Sequence, residues 1–304
     1  MIIELPDTTT GAINKTLVRT RSESGVITLG RVMTLVIDTS ACDSEKAIST
    51  ANAASKEHPC RIVVLDPRSD DVPRLDAEIR VGGDAGASEV VILRAGGEMA
   101  DHGDTLAIPL LLPDAPIVSW WPGAAPANPS HAGVGAMSAR RITDSKADSN
   151  PVDALLRLAD SYAPGDTDLA WARVTRWRAL LAAALDELGS VTVVQARIHG
   201  DTHSPSILLL GAWLEDALGC EYTATYDDAA EGLISIALET ADGEISIVRQ
   251  DGHNAILTQP DSPDHVVTLP QRTLTDCLAE ELRRLDPDEV YGETLASLAA
   301  GLRS

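Results

Sequence analysis

Two continuous apolar runs, RVMTLVID at 31–38 and CRIVVLD at 60–66, constrain the fold of this chain more than any other feature. A strand with one wet face alternates apolar and polar residues, whereas an unbroken run belongs to a strand covered on both faces, as in parallel sheets. Between the runs, Asp43 is placed to cap the helical stretch SEKAISTANAASKEH, and Pro59 ends it. Strand, helix and strand with a crossover of this length make a βαβ unit, and such units build a parallel sheet with helices on its faces.

The alternation continues through the first half. LDAEIRV at 75–81 and SEVVIL at 88–93 read as strands joined by the turn GGDAGA at 82–87. A helical segment from 98 to 111 leads into a strand over 115–121, and the Ala-, Pro-, Gly- and Ser-rich stretch 124–135 reads as loop. Turn chemistry in SYAPGDTD, 161–168, places a boundary there, giving a Rossmann-like, mixed-sheet α/β domain over 1–160.

Residues 161–304 read as an α+β domain. Trp171, Val174, Trp177, Leu181, Ala184, Leu185 and Leu188 share one helical face and are expected in the core. The strand SVTVVQARI follows, then a helix opened by Ser204-Pro205 and closed by Gly219. From Leu233 the hydrophobic period changes to two, through GLISIALE, EISIVR, NAILTQ and HVVTLP with short turns between, which is an antiparallel meander. Two helices end the chain, the first opened by the capping sequence TLTD at 273–276.

With 46 acidic against 24 basic residues the net charge is −22, which excludes a nucleic-acid partner, since phosphate binding needs a basic stripe. No apolar run is long enough for a membrane helix, and the opening MIIELPDTTT lacks a basic-then-apolar leader, so a cytoplasmic location is expected. Cys42, Cys60, Cys220 and Cys277 form no CxxC pair and read as reduced thiols, Cys60 and Cys277 in the core.

Motifs for chemistry are missing. GGDAGA lacks the G-x-G-x-x-G spacing, and there is no GK[ST], G-x-S-x-G or H-E-x-x-H, so neither a cofactor nor a metal is expected. His199 and His203 flank a Gly-Asp loop, where spacing of four has no helical meaning. The pairs Asp166/Asp168 and Asp286/Asp288 precede helix starts and are expected to cap them.

Ligand and partner sites in α/β sheets gather at the carboxyl ends of strands. Asp38-Thr39-Ser40, Asp66-Pro67-Arg68 and Trp120-Trp121-Pro122 lie at such ends, and Arg140, Arg141 and Asp144 of RRITDS follow shortly after. Adjacent strand residues face opposite ways, so one Trp of the pair is expected in the sheet's cover. The other packs under 124–135 or meets a partner. The expected contact set is Trp120, Trp121, Pro122, Arg140, Arg141 and Asp144.

Several long segments carry a resemblance together: LGRVMTLVI, ANAASKEHPCRIVVLD, LDAEIRVGGDAGASEVVILR, PLLLPDAPIVSWWPG, RRITDS, YAPGDTDLAWARVTRWRALLAAALD and CLAEELRRLDPDEVY. The chain resembles the OpcA family of glucose-6-phosphate dehydrogenase assembly proteins, in its actinobacterial form. The resemblance implies a non-catalytic, cofactor-free accessory protein that binds glucose-6-phosphate dehydrogenase, allows a hetero-oligomer with it, and activates it, supporting the oxidative pentose phosphate pathway and NADPH supply. It supplies no catalytic residue. Two other readings start from the residues: a sugar-phosphate enzyme with Arg140 and Arg141 as a phosphate clamp and Asp66 or Asp144 as base, and a sensor that binds a phosphorylated metabolite.

Overall fold

The computed structural model describes residues 1–24, 31–56, 58–82, 88–189 and 191–301. The first sheet has eight strands: β1 (Ile2–Leu5), β2 (Met33–Asp38), β3 (Cys60–Leu65), β4 (Arg74–Arg80), β5 (Glu89–Gly96), β6 (Ile117–Trp121), β7 (Arg140–Thr143) and β8 (Asp166–Asp168). Their spatial order is β1-β4-β5-β3-β2-β6-β7-β8, parallel from β5 to β8 and antiparallel at the β1-β4-β5 edge. The two apolar runs form the centre, Met33 to Asp38 pairing with Cys60 to Leu65 on one side and Thr34 to Ile37 with Ile117 to Trp120 on the other. The order reverses between β3-β2 and β6, which is the doubly wound arrangement that opens a crevice at the carboxyl ends of those strands.

Both faces of this sheet are covered, as unbroken apolar strands require. On one, Leu35, Ile37, Ile62 and Trp120 pack beneath α2 (Ser44–Ala54) and α7 (Leu274–Arg283). On the other, Val36, Val63, Leu93 and Trp121 meet Ile13 and Leu17 of α1 (Thr10–Ser24). The sequence reading assigned neither β1 nor α1. The expected helix over 98–111 is instead a 3-10 turn (Gly97–His102), a single α turn, α3 (Gly103–Ala107), and a second 3-10 turn (Ile108–Leu110). Gly97 bends the chain there at a φ of 54°, and a Cβ on it would lie 2.8 Å from the backbone nitrogen of Pro73, so only glycine fits. The β4–β5 turn falls at residues of which 83–87 lie outside the described part of the chain.

The second sheet has six strands in the order β10-β9-β11-β12-β13-β14. They are β9 (Val193–Asp201), β10 (Glu221–Asp227), β11 (Leu233–Thr240), β12 (Gly243–Arg249), β13 (Asn254–Thr258) and β14 (His265–Thr268). The meander β11 to β14 is antiparallel, and β9 and β10 run parallel across α6 (Pro205–Leu218). One face packs on α5 (Leu169–Leu188), α6 and α8 (Glu289–Gly301), and Trp171, Val174, Trp177 and Leu181 lie in that core, as their shared helical face requires. α4 (Pro151–Asp160) lies against α8.

The halves interleave in sequence. β8 joins the first sheet although it follows residue 160, and α7 returns from the end of the meander to pack on α2. Cys277, Leu278 and Leu282 of α7 sit in the first core, together with Leu169 and Ala172 at the start of α5. Asp168 caps α5 by accepting from Ala170 N at 2.8 Å, and Asp288 accepts from Tyr291 N at 3.0 Å at the start of α8. Those two aspartates thus cap helix starts, as read from the sequence, whereas Asp166 instead accepts from Ala163 N and pairs with Arg141.

Candidate functional site

The crevice at the strand-order reversal holds a cavity of about 380 Å³. The three loops singled out from the sequence meet there: Asp38 and Ser40 after β2, Asp66 and Pro67 after β3, and Trp121 at the end of β6. Asp101 and Asp104 of the segment around α3 complete the lining; sequence reasoning missed them because it gave that segment to one continuous helix.

In dinucleotide-binding sheets of this order the first βα turn is glycine-rich, and the free amides of the next helix meet a pyrophosphate. Here the turn is Asp38-Thr39-Ser40-Ala41-Cys42-Asp43, without glycine. The amino end of α2 is closed by its own carboxylate, Asp43 Oδ1 accepting from Lys46 N at 2.9 Å. Cys42 reports the local field: burial, then Asp38, Asp43 and Asp66, push its thiol up to about 11. Carboxylates thus line the place where a dinucleotide phosphate would sit, Asp66 among them paired with Arg94 at 3.4 Å.

Trp120 and Trp121 face opposite ways, as adjacent strand residues must, and both are interior, at 0% and 4% exposure. Trp121 packs under the 124–135 segment, whose Gly135 comes so close that a Cβ would lie 1.9 Å from Pro129 O and 3.0 Å from the indole. Pro122 is half-buried at the rim. Gly123 lets the chain cross the β2–α2 loop, since a Cβ on it would lie 2.6 Å from Ala41 O.

Arg140, Arg141 and Asp144 are interior as well. Read from the sequence as an exposed polar segment, RRIT is the buried strand β7, paired in parallel with β6 and β8. Its charges are matched inside the protein. Arg140 donates to Asp286 O at 2.8 Å and to Glu281 of α7, while Arg141 donates to Asp166, to Ser138 O and to Pro164 O. Glu281 remains above the usual carboxylate range because its burial outweighs the neighbouring Arg140. Asp144 receives both guanidinium nitrogens of Arg173 at 2.7 and 2.8 Å. Of the expected contact set, Arg140, Arg141 and Asp144 are thus internal braces of β7 against α5, α7 and neighbouring loops, while Trp120 and Trp121 pack on the two faces of the sheet.

Beside that brace Asp168 is completely buried and forms no ion pair among the described residues. It accepts from Thr143 Oγ1, Ser145 N, Ser145 Oγ and Ala170 N, all at 2.8 to 2.9 Å. Desolvation, then the charge of Asp144, raises its pKa despite those four donors.

The outer face of the second sheet has no covering layer. Thr225, His199, Ser235, Val248, Ile256 and Val266 align in register across all six strands. The neighbouring row, Thr223, Arg197, Ala237, Ser246 and Thr258, has one charge, Arg197, paired with Glu239 and Glu244. Val266 is 76% exposed and Val248 38%. His199, expected in a loop, is on β9, its Nδ1 3.0 Å from Thr225 Oγ1. Among the described residues no group of three His, Cys, Asp or Glu is arranged for a metal, and no helix is long and apolar enough to cross a membrane.

A doubly wound sheet with an acidic crevice, joined to a second sheet open on one face, defines an α/β protein of the Rossmann-like class. Within that class the chain belongs to the OpcA family: residues 51–160 match the glucose-6-phosphate dehydrogenase subunit N-terminal domain, and 164–295 the C-terminal domain of the same subunit. The OxPP cycle protein OpcA of Synechocystis sp. is 24% identical over 191 residues, covering 55% of this chain. The chain spans 39% of that relative's length. Among solved structures, the 3-ketoreductase KijD10 of Actinomadura kijaniata superposes with a TM-score of 0.49 at 11% identity, covering 90% of this chain and 97% of that one. Glucose-6-phosphate 1-dehydrogenase from Mycobacterium avium gives 0.43 at 11% identity, with 90% and 92% covered.

Proposed function

We propose that this chain is a non-catalytic assembly factor of glucose-6-phosphate dehydrogenase, acting as its allosteric activator and so supporting the oxidative pentose phosphate pathway and NADPH supply. Membership of a family described as a subunit of that dehydrogenase supports this choice of partner. The observation that carries the reading is the open face of the second sheet. Its two central rows hold small and β-branched side chains, His199, and one charge, itself neutralised, on a chain whose net charge is −22. A polypeptide surface can cover such a face without desolvating unpaired charge.

The acidic crevice supports the non-catalytic part, since carboxylates and a self-capped helix occupy the place where this strand order binds a cofactor's phosphates. Trp120, Arg140, Arg141 and Asp144 serve partner binding in this reading from within, by fixing α5 and α7 and with them the second sheet, while Trp121 and Pro122 serve it through the 124–135 loop they adjoin. An activator shifts its partner only by its differential affinity for two states, and a coupling of about 1–3 kcal/mol gives roughly 5–150-fold stimulation. The experiment is a titration of the dehydrogenase at fixed low concentration with this chain, alongside size-exclusion chromatography. Saturable stimulation with co-elution is expected; a dehydrogenase whose rate and elution volume do not change overturns the proposal.

A further inference from the structure

A cavity of about 50 Å³ lies where the two halves meet, at the amino end of α6. Lys146 enters from the turn after β7, Arg173 from α5, Ser204 and Ser206 from the start of α6, Arg249 from the end of β12, and Arg272 from the approach to α7. No carboxylate lines it, in a chain with 46 acidic and 24 basic residues.

Two of the four cations are already matched, Arg173 by Asp144 and Arg272 by Glu280. The other two make no ion pair among the described residues. Arg249 donates to the carbonyls Leu269 O at 3.0 Å and Leu233 O at 3.2 Å, and stacks 4.9 Å from the ring of Trp177. Desolvation without a carboxylate holds its pKa below the ordinary value. Lys146 makes no ion pair among the described residues.

The helix start adds donors of its own. α6 has 14 residues, and its N-cap, Ser204, makes no capping bond. Ser204 is only 4% exposed, makes no side-chain capping bond, and lines this cavity. A buried serine without a capping bond, the positive end of a helix and two cations with no ion pair among the described residues thus surround one small space.

We infer that this cavity binds the phosphoryl group of a small phosphate monoester. A space of about 10–15 Å³ holds one water, so about 50 Å³ takes a tetrahedral group of a few heavy atoms and no more. The rest of the ligand has room beside it. Lys146 and Arg173 also line a second cavity of about 340 Å³, whose other walls include Asp43, Lys46 and Asp144, groups suited to hydroxyls. A phosphate on a short polyol matches the pair of cavities. Occupancy neutralises Arg249 and ties the turn after β7 to the second sheet.

The test uses the chain alone, so its result is independent of any dehydrogenase. Inorganic phosphate and glycerol 3-phosphate are titrated at constant ionic strength, with glycerol and chloride as controls, and read by calorimetry and by melting temperature. Saturable binding, tighter for glycerol 3-phosphate than for phosphate, is expected. Arg249→Gln and, at an exposed position where folding is not at issue, Lys146→Gln should each weaken it about tenfold, as loss of one charge-assisted hydrogen bond does. No binding, or binding unchanged in both variants, overturns the inference.

Discussion

Asp144, on the turn after β7, holds Arg173 of α5 through two parallel hydrogen bonds of 2.7 and 2.8 Å, in a position 5% exposed on the carboxylate side. This fork joins the last turn of the first sheet to the helix that enters the second core. Asp144→Ala leaves a guanidinium with little access to water, and we expect a loss of about 3 kcal/mol, the low end for breaking a buried pair because Arg173 keeps some solvent contact. Denaturant unfolding measures it. A loss below about 1 kcal/mol would show that the fork is replaceable by water.

Asp168 provides a pH signature. Burial and Asp144 raise its folded pKa, so the folded chain binds this proton more tightly than the unfolded one. The sign follows from linkage: stability is greatest below the unfolded value of about 4 and is lost as pH rises through the folded pKa. Asp168→Asn removes that titration and retains a residue that can cap α5. The stability of the variant relative to wild type should therefore rise from about pH 4 upward. An offset that is constant between pH 4 and 8 would contradict the assignment.

Gly135 and Trp121 test the covering loop. An added Cβ would stand 1.9 Å from Pro129 O, a backbone atom that cannot rotate away. Gly135→Ala should cost about 1–3 kcal/mol as overpacking, with a change in tryptophan emission as the indole is displaced. Unchanged stability and emission would mean that the 124–135 segment does not hold Trp121 in place.

What could be read in the sequence, and what could not, follows from how far each residue's partners lie along the chain. β2 and β3 are legible because burial on both faces leaves an apolar run, a purely local mark. The meander is legible from alternation for the same reason. β7 carries no such mark: it is charged, and its neutralising partners are Asp166, 25 residues on, and Glu281, 141 residues on. Only the fold makes Arg140 and Arg141 internal. The Trp pair was half legible, since opposite faces follow from adjacency, while the cover on each face comes from α2 with α7 and from the 124–135 loop. The Arg249 cavity was illegible altogether, because its seven polar residues come from five separate segments.

The open face of the second sheet supplies the sharpest test of partner binding. Val248, Ile256 and Val266 lie side by side across β12, β13 and β14, with Val266 76% exposed. Residues this exposed contribute little to the fold, so Val248→Glu with Val266→Glu should change stability by no more than about 1 kcal/mol. Against a partner the same change buries two carboxylates without counter-ions, which weakens association by several kcal/mol. The concentration of this chain needed for half-maximal stimulation of the dehydrogenase should therefore rise by about a hundredfold or more. Arg197→Ala, beside the row but paired with Glu239 and Glu244, should have a smaller effect because it frees two carboxylates at the edge of the same face. If the double glutamate variant stimulates as well as wild type, the dehydrogenase meets another surface, and the neutrality of this face has a different cause.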